Sequence, residues 1–147
     1  MIRISTKGKY GARLMVQLAM NYGNGPMLLK DIAEKENLSV RYLEHLIPPL
    51  KSARLIHSIR GARGGYTLAK TPMEITLKDI IRALEGPLSP SECVESPEVC
   101  DRSGFCITRD IWVELEKTIS ATLAMHTLAD LVQKYLSTTY YGEARSQ

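Results

Sequence analysis

Apolar residues recur along this chain with a helical period at both ends and a strand-like period near the middle. Tyr10, Leu14, Leu18 and Tyr22 fall at helical spacing, with Val16, Ala19 and Met20 widening the stripe. That predicts a helix over residues 6–22, capped by Ser5 or Thr6 and stopped by Gly23-Asn24-Gly25-Pro26. Leu29, Ile32 and Ala33 give a second, short helix over residues 28–36. Asn37-Leu38 forms a turn, and Ser39 caps a third helix, V-R-Y-L-E-H-L-I. Pro48-Pro49 is expected to end that helix and to start a separate short turn, P-P-L-K-S-A-R. The period then drops to two: Ile56, Ser58 and Arg60 alternate with His57 and Ile59. Gly61-Ala62-Arg63-Gly64-Gly65 reads as a hairpin tip, and Tyr66, Thr67 and Leu68 as the return strand. Helical spacing resumes from Thr76 to Glu85, with Asp79 completing a capping box and Gly86-Pro87 ending the helix.

Residues 88–106 carry no periodicity. After them Ile111, Leu115, Ile119 and Leu123 step by four along a long helix starting at Ile107 or Thr108, with Trp112 beside the stripe and leaning on its own domain on one side. The pattern breaks at Met125-His126. Thr127 with Asp130 starts a short last helix, L-A-D-L-V-Q-K-Y, and a mobile polar tail is expected from Ser137. A short helix, a tight turn, a second helix and a two-stranded hairpin make a winged helix-turn-helix. The expected fold is therefore mainly α with a small β wing, divided as 1–86 for the winged domain, 87–106 for the loop, 107–136 for the long and final helices and 137–147 for the tail. A long helix with an apolar stripe outside a compact domain needs a partner, and a second copy of the chain is the economical one.

The 147 residues suffice for a core without disulfides. Net charge is +3, but it is unevenly spread: residues 1–70 hold twelve Lys/Arg against four Asp/Glu, and residues 71–147 hold seven against twelve. A basic first half is the electrostatic footprint of a protein that grips a phosphate backbone. No apolar run is long enough to span a membrane, and the first ten residues do not lead into a signal-peptide block. The chain is expected to be soluble and cytoplasmic, where thiols stay reduced.

Candidate chemistry follows from these placements. Arg41, Tyr42, Glu44 and His45 stand on the third helix, where base edges would be read. Arg60 and Arg63 flank the wing tip, a thin ribbon suited to a narrow minor groove. Lys7 and Lys9 lie near the start of the first helix, placed for phosphates. The glycine-rich tip lacks G-x-x-x-x-G-K-[ST], so it is not a nucleotide loop. His45, His57 and His126 are scattered and no nucleophile sits beside a base, which argues against an enzyme. All three cysteines, Cys93, Cys100 and Cys106, fall in the unpatterned loop, spaced C-x6-C-x5-C among Glu92, Glu95, Glu98, Asp101 and Arg102. An odd number in a polar loop fits neither a closed disulfide framework nor core packing, and points to metal or redox chemistry. Thiolates suit zinc, cuprous copper and iron-sulfur iron.

The stretches M-I-R-I-S-T-K-G-K-Y, Y-L-E-H-L, R-G-A-R-G-G-Y-T-L and C-I-T-R-D-I-W, with the three-cysteine loop, resemble the Rrf-two family of bacterial winged-helix repressors, most closely its iron-sulfur cluster regulator branch. The resemblance runs from Met1 to about Tyr135. It implies a homodimer whose wings flank a palindromic DNA operator, and an iron-sulfur cluster held by Cys93, Cys100 and Cys106. It also implies repression of cluster-biogenesis genes. In 2Fe-2S members a histidine follows the third cysteine by three positions, and here that position is Arg109, which cannot ligate. The stretch from Lys7 to Ala12 also lacks the ligand that other branches supply. Asp110, Glu98 and His126, with Glu92, Glu95 and Asp101, are the candidates for a fourth ligand. A 2Fe-2S cluster is preferred over 4Fe-4S. A nitric oxide sensor and a cluster-free thiol regulator of cysteine metabolism are the alternatives on the same fold.

Overall fold

The computed structural model describes residues 2–145, with side-chain surroundings described through Thr139. Seven α-helices, one 3-10 turn and a two-stranded sheet follow one another among the described residues. Helix α1 (Thr6–Met20) is capped by Ser5, whose hydroxyl accepts from the Gly8 amide. It ends two residues earlier than its apolar stripe suggests, where Asn21 closes the last turn. Helices α2 (Leu29–Glu36) and α3 (Val40–Ser52) form the helix-turn-helix. Between them Asn37 adopts the left-handed conformation, φ 54, and the Leu38 amide reaches back to the Ala33 carbonyl. Asparagine tolerates that conformation better than most residues, and the 6→1 bond satisfies a carbonyl that the helix end would leave free.

Pro48 and Pro49 do not end α3, which runs through both. Two prolines deprive the carbonyls of Glu44 and His45 of their usual donors. Both residues are exposed, so the lost bonds fall on the solvent side, while Leu46, Ile47 and Leu50 on the opposite face are buried and hold the helix in place. Strands β1 (Ile56–Ile59) and β2 (Gly65–Leu68) pair antiparallel with Ile56 opposite Leu68 and Ile59 opposite Gly65, as the alternation predicts. A contact absent from the sequence pattern anchors this wing. The Met27 amide donates to the Tyr66 carbonyl and the Tyr66 amide to the Met27 carbonyl, both at 2.9 Å. Gly65, at φ 145, permits that approach, since an added Cβ would lie 2.5 Å from the Met27 oxygen.

Helix α4 (Leu77–Glu85) carries the expected box: Thr76 accepts from the Asp79 amide and Asp79 from the Thr76 amide. The cysteine segment is not a featureless loop. Glu92–Glu95 forms one helical turn, α5, and Pro97–Val99 a 3-10 turn. Helix α6 (Ile107–Ala124) follows and buries none of its residues. The final helix, expected to be short with a mobile tail from Ser137, instead runs as α7 from Leu128 to Arg145. Ser137, Thr138 and Thr139 donate to carbonyls four residues back, so side chains that read as tail residues are satisfied inside a helix. The last two tail positions, Ser146 and Gln147, lie outside the described residues.

The core joins Leu14, Met15 and Leu18 of α1 to Ile32, to Leu43, Leu46 and Leu50 of α3, and to Ile80 and Leu84 of α4. Leu128 belongs to it as well and is fully buried. Its amide donates to the Ile75 carbonyl, and the Leu77 amide donates to the His126 carbonyl. These bonds pin the α6–α7 junction to the entrance of α4, and α7 then packs on α1. The last helix is therefore part of the winged unit, and α6 is the excursion from it.

Candidate DNA-binding face and cysteine segment

Helix α3 turns Leu43, Leu46, Ile47 and Leu50 inward, which leaves Arg41, Glu44 and His45 exposed and Tyr42 half-buried on the outer face. Tyr42 is held edge-on against Tyr10 of α1, ring centroids 5.7 Å apart at 88°. Burial, with Tyr10 beside it, pushes the Tyr42 hydroxyl above its ordinary pKa, so it remains a neutral donor. Arg13 lies 5.2 Å from the Tyr10 ring centre and binds the Glu36 carboxylate through Nε at 2.6 Å and the Glu36 carbonyl through Nη2 at 2.8 Å. The buried Gln17 donates to the other Glu36 oxygen at 2.5 Å. This network ties α1 to the carboxyl end of α2, and so to the turn that aims α3. Sequence reasoning missed it, because Gln17 reads as a polar interruption of a helical stripe.

The amino end of α1 runs beside α3. Arg3, Ser5, Thr6, Lys7 and Lys9 line a groove of about 490 Å³ with Tyr42 and His45. Four of the eight residues expected to meet DNA, Lys7, Lys9, Tyr42 and His45, are thus gathered here, with Arg3 added to them. Arg60 and Arg63 do not line this groove; they stand exposed on the wing, around a tip closed by the Gly64 amide on the Gly61 carbonyl at 3.0 Å. Arg41 and Glu44 are exposed beside the groove on the same helix.

The three cysteines are free thiols. Cys93 sits half-exposed on α5 with its sulfur 3.3 Å from the Ser91 hydroxyl. Cys100 is exposed after the 3-10 turn, and Cys106 stands just before the amino end of α6, where its side chain makes no cap bond and its sulfur lies 3.2 Å from the Thr108 hydroxyl. The Thr108 hydroxyl first, then the Arg109 and Thr108 amides and the Arg102 charge, hold the Cys106 thiol below its ordinary pKa against a smaller opposing effect of burial. Arg109, at the position of the absent histidine, donates through Nε to the Cys93 carbonyl at 2.9 Å and so ties α5 to α6.

The donor chemistry fits thiolate-loving iron, since no sulfur is spent in the core or in a disulfide. The arrangement does not gather it: among the described residues no three His, Cys, Asp or Glu side chains converge as a metal site. Glu92, Glu95, Glu98, Asp101 and Asp110 are all exposed and none closes a set with the thiols. His126 lies at the far end of α6 from Cys106; an 18-residue helix is about 27 Å long, so within one chain it does not reach the cysteines. No helix among the described residues is long and apolar enough to cross a membrane.

Residues 4–134 match the Rrf2 family, described as an iron-dependent transcriptional regulator. The chain is 46% identical over 130 residues to the HTH-type transcriptional regulator CymR of Bacillus subtilis, covering 88% of this chain and 89% of that protein. It is 35% identical over 131 residues to the transcriptional regulator IscR of Serratia proteamaculans, covering 89% of this chain and 79% of the relative. Among solved structures, that of CymR, the global cysteine regulator of B. subtilis, superposes with a TM-score of 0.76 at 45% identity, covering 91% of this chain and 98% of that one. The IscR of T. potens superposes with 0.73 at 42% identity, covering 90% and 88%.

Proposed function

Since the chain belongs to the Rrf2 family of winged-helix, DNA-binding transcriptional regulators and is not an enzyme, we propose that it is a homodimeric repressor whose DNA binding is set by an iron-sulfur cluster on Cys93, Cys100 and Cys106. The observation that carries the reading is the placement of all three thiols in one solvent-facing segment that opens directly into the helix left without a core, α6. Ile107, Ile111 and Trp112 are exposed on that helix, and a second copy covering them would form a two-fold dimer. Two copies present two α3 helices and two wings, the symmetry that a palindromic operator mirrors.

On DNA, Arg41, Tyr42, Glu44 and His45 read base edges in the major groove, Arg60 and Arg63 enter the minor groove, and Lys7 and Lys9 meet phosphates. A bound cluster, 2Fe-2S in this reading, supplies a redox- and iron-sensitive centre. The chain's own part is to draw the sulfurs of residues 93–106 together and, through the start of α6, to alter the spacing of the paired recognition helices. The genes controlled would be those of cluster biogenesis, in the cytoplasm.

Iron and acid-labile sulfide per chain, measured on protein purified without oxygen, test this. Roughly two of each are expected, with a visible absorption that disappears in a triple Cys→Ser variant. Four of each would favour a 4Fe-4S nitric oxide sensor. No iron, with thiols intact and operator binding retained, would overturn the cluster. The second reading is then a cluster-free thiol regulator of cysteine metabolism. The ungathered sulfurs, the Arg109 bond to the Cys93 carbonyl and the identity to CymR favour it.

A further inference from the structure

Glu85 is the last residue of α4, and it touches the opposite end of the chain. Its Oε1 accepts from both the amide and the hydroxyl of Ser5, each at 2.5 Å, across eighty residues of sequence. Ser5 is the cap of α1, so the carboxylate sits over a helix amino end, where free amides favour negative charge. Gly8 makes an independent mark of the same contact. It lies inside α1 with no left-handed backbone angle, yet a Cβ there would meet Glu85 Oε1 at 2.5 Å and Cδ at 3.0 Å. Glycine weakens a helix interior relative to alanine. The room it leaves is filled by the Glu85 carboxylate.

The arm held in this way is the one that builds the basic groove. Arg3, Lys7 and Lys9 flank Ser5 along the chain and line the groove with Tyr42 and His45. Glu85 is not among the groove's lining residues; it lines a second cavity with Ile2 and residues of α6, and Arg3 and Ile4 border both. We infer that Glu85 is a positioning residue for DNA binding: acting through Ser5, it fixes the amino end of α1 so that Arg3, Lys7 and Lys9 lie alongside the recognition helix. The inference rests on the DNA-facing role given to that groove.

The test is operator binding by the full chain at several salt concentrations, on a duplex selected by the wild-type protein from a random pool, with thermal unfolding of each variant alongside. Glu85→Ala is expected to weaken binding about tenfold and to flatten the salt dependence by about one or two phosphate contacts. Gly8→Ala, which favours the helix but evicts the carboxylate, should do the same. Glu85→Gln, whose amide oxygen still accepts from Ser5, should keep most of the affinity. A lower melting temperature with unchanged affinity well below it would overturn the inference and leave Glu85 a stabilising residue only. Tighter binding by Glu85→Ala would overturn it too, by showing that the carboxylate competes with phosphate for the helix end. A wild-type chain that selects no duplex would overturn the DNA-binding reading itself, a result distinct from equal affinities among variants.

Discussion

Glu44 is an exposed acid one position from His45, on a face that otherwise collects cations. Phosphates repel it, so under the proposed reading of bases by α3 its value would lie in discrimination: it would accept from cytosine N4 at a right site or penalise a wrong one. Glu44→Ala should broaden the set of operators bound while non-specific affinity stays the same; competition between the selected duplex and point-mutated duplexes would show it, and an unchanged preference would sink the idea. Two glycines, Gly23 in the turn after α1 and Gly65 in the wing, separate two kinds of constraint. Gly23 and Gly65 both have positive φ, but a Cβ on Gly23 meets nothing within 4 Å, whereas one on Gly65 strikes the Met27 backbone. Gly23→Ala should cost about 1–2 kcal/mol of stability from conformation alone. Gly65→Ala should cost more in urea unfolding, and equal losses would show that the Met27 approach carries no weight. That the tip needs glycine was legible from G-A-R-G-G; why Gly65 in particular was not, because Met27 lies thirty-eight positions earlier.

At the scale of elements, two capping boxes open α4 and α7, and both were legible because donor and acceptor lie three residues apart. Thr127→Ala should cost about 1 kcal/mol by thermal or urea unfolding. The Thr127 amide first, then the Thr127 hydroxyl and the nearby His126, hold the Asp130 carboxyl below its ordinary pKa, against a smaller rise from burial. The Thr71 amide and hydroxyl do the same for Glu74. A folded pKa below the unfolded value means stability present above the unfolded pKa, about 3.9 for Asp and about 4.3 for Glu, and lost as pH falls through the folded value. Wild type and Asp130→Asn should therefore differ in urea unfolding at neutral pH and converge in strong acid; a gap that persists there would show that the loss is not of the charged cap. The course of α3 through Pro48-Pro49 and the length of α7 were not legible. Propensity argued against both; in α3 packing of the opposite face overrode it, and in α7 the hydroxyls of Ser137, Thr138 and Thr139 find carbonyls four residues back, so the helix accommodates them.

At the scale of the molecule, the winged unit closes its core with α7, and α6 is left with its stripe only partly covered: Ile111 is 57% exposed, Leu115, Ile119 and Leu123 are half-buried, and Ile119 lines a groove of about 540 Å³ with Ile2, Ile4 and Leu88. If a second copy covers this face, a double Ile111→Asp, Ile119→Asp variant should be monomeric by light scattering. Its winged unit should melt close to wild type, because α6 contributes nothing to the core, while operator affinity should fall more than tenfold as one half-site is lost. A dimer that survives the double substitution would place the interface elsewhere. The basic first half, the wing and the cysteine segment were all visible in the sequence. That the last helix returns to the first domain was not, since its anchor is the pairing of Leu128 with Ile75.

What the sequence determined by itself is whatever depends on neighbours: helix phase, caps, the glycine-rich tip, the charge division and the collection of three thiols in one segment. Phase, caps and the tip rest on residues within a few positions of one another, where spacing and geometry are the same thing, while the charge division and the collection of thiols are counts along the chain that need no geometry. What the tertiary structure decided are the meetings of distant residues: Ser5 with Glu85, Gln17 with Glu36, Met27 with Tyr66, Leu128 with Ile75. Cys93, Cys100 and Cys106, close along the chain, form no metal-holding group among the described residues. Cys93 lies within one short turn, Cys100 follows another and Cys106 precedes α6, and proximity in sequence does not fix where a side chain points.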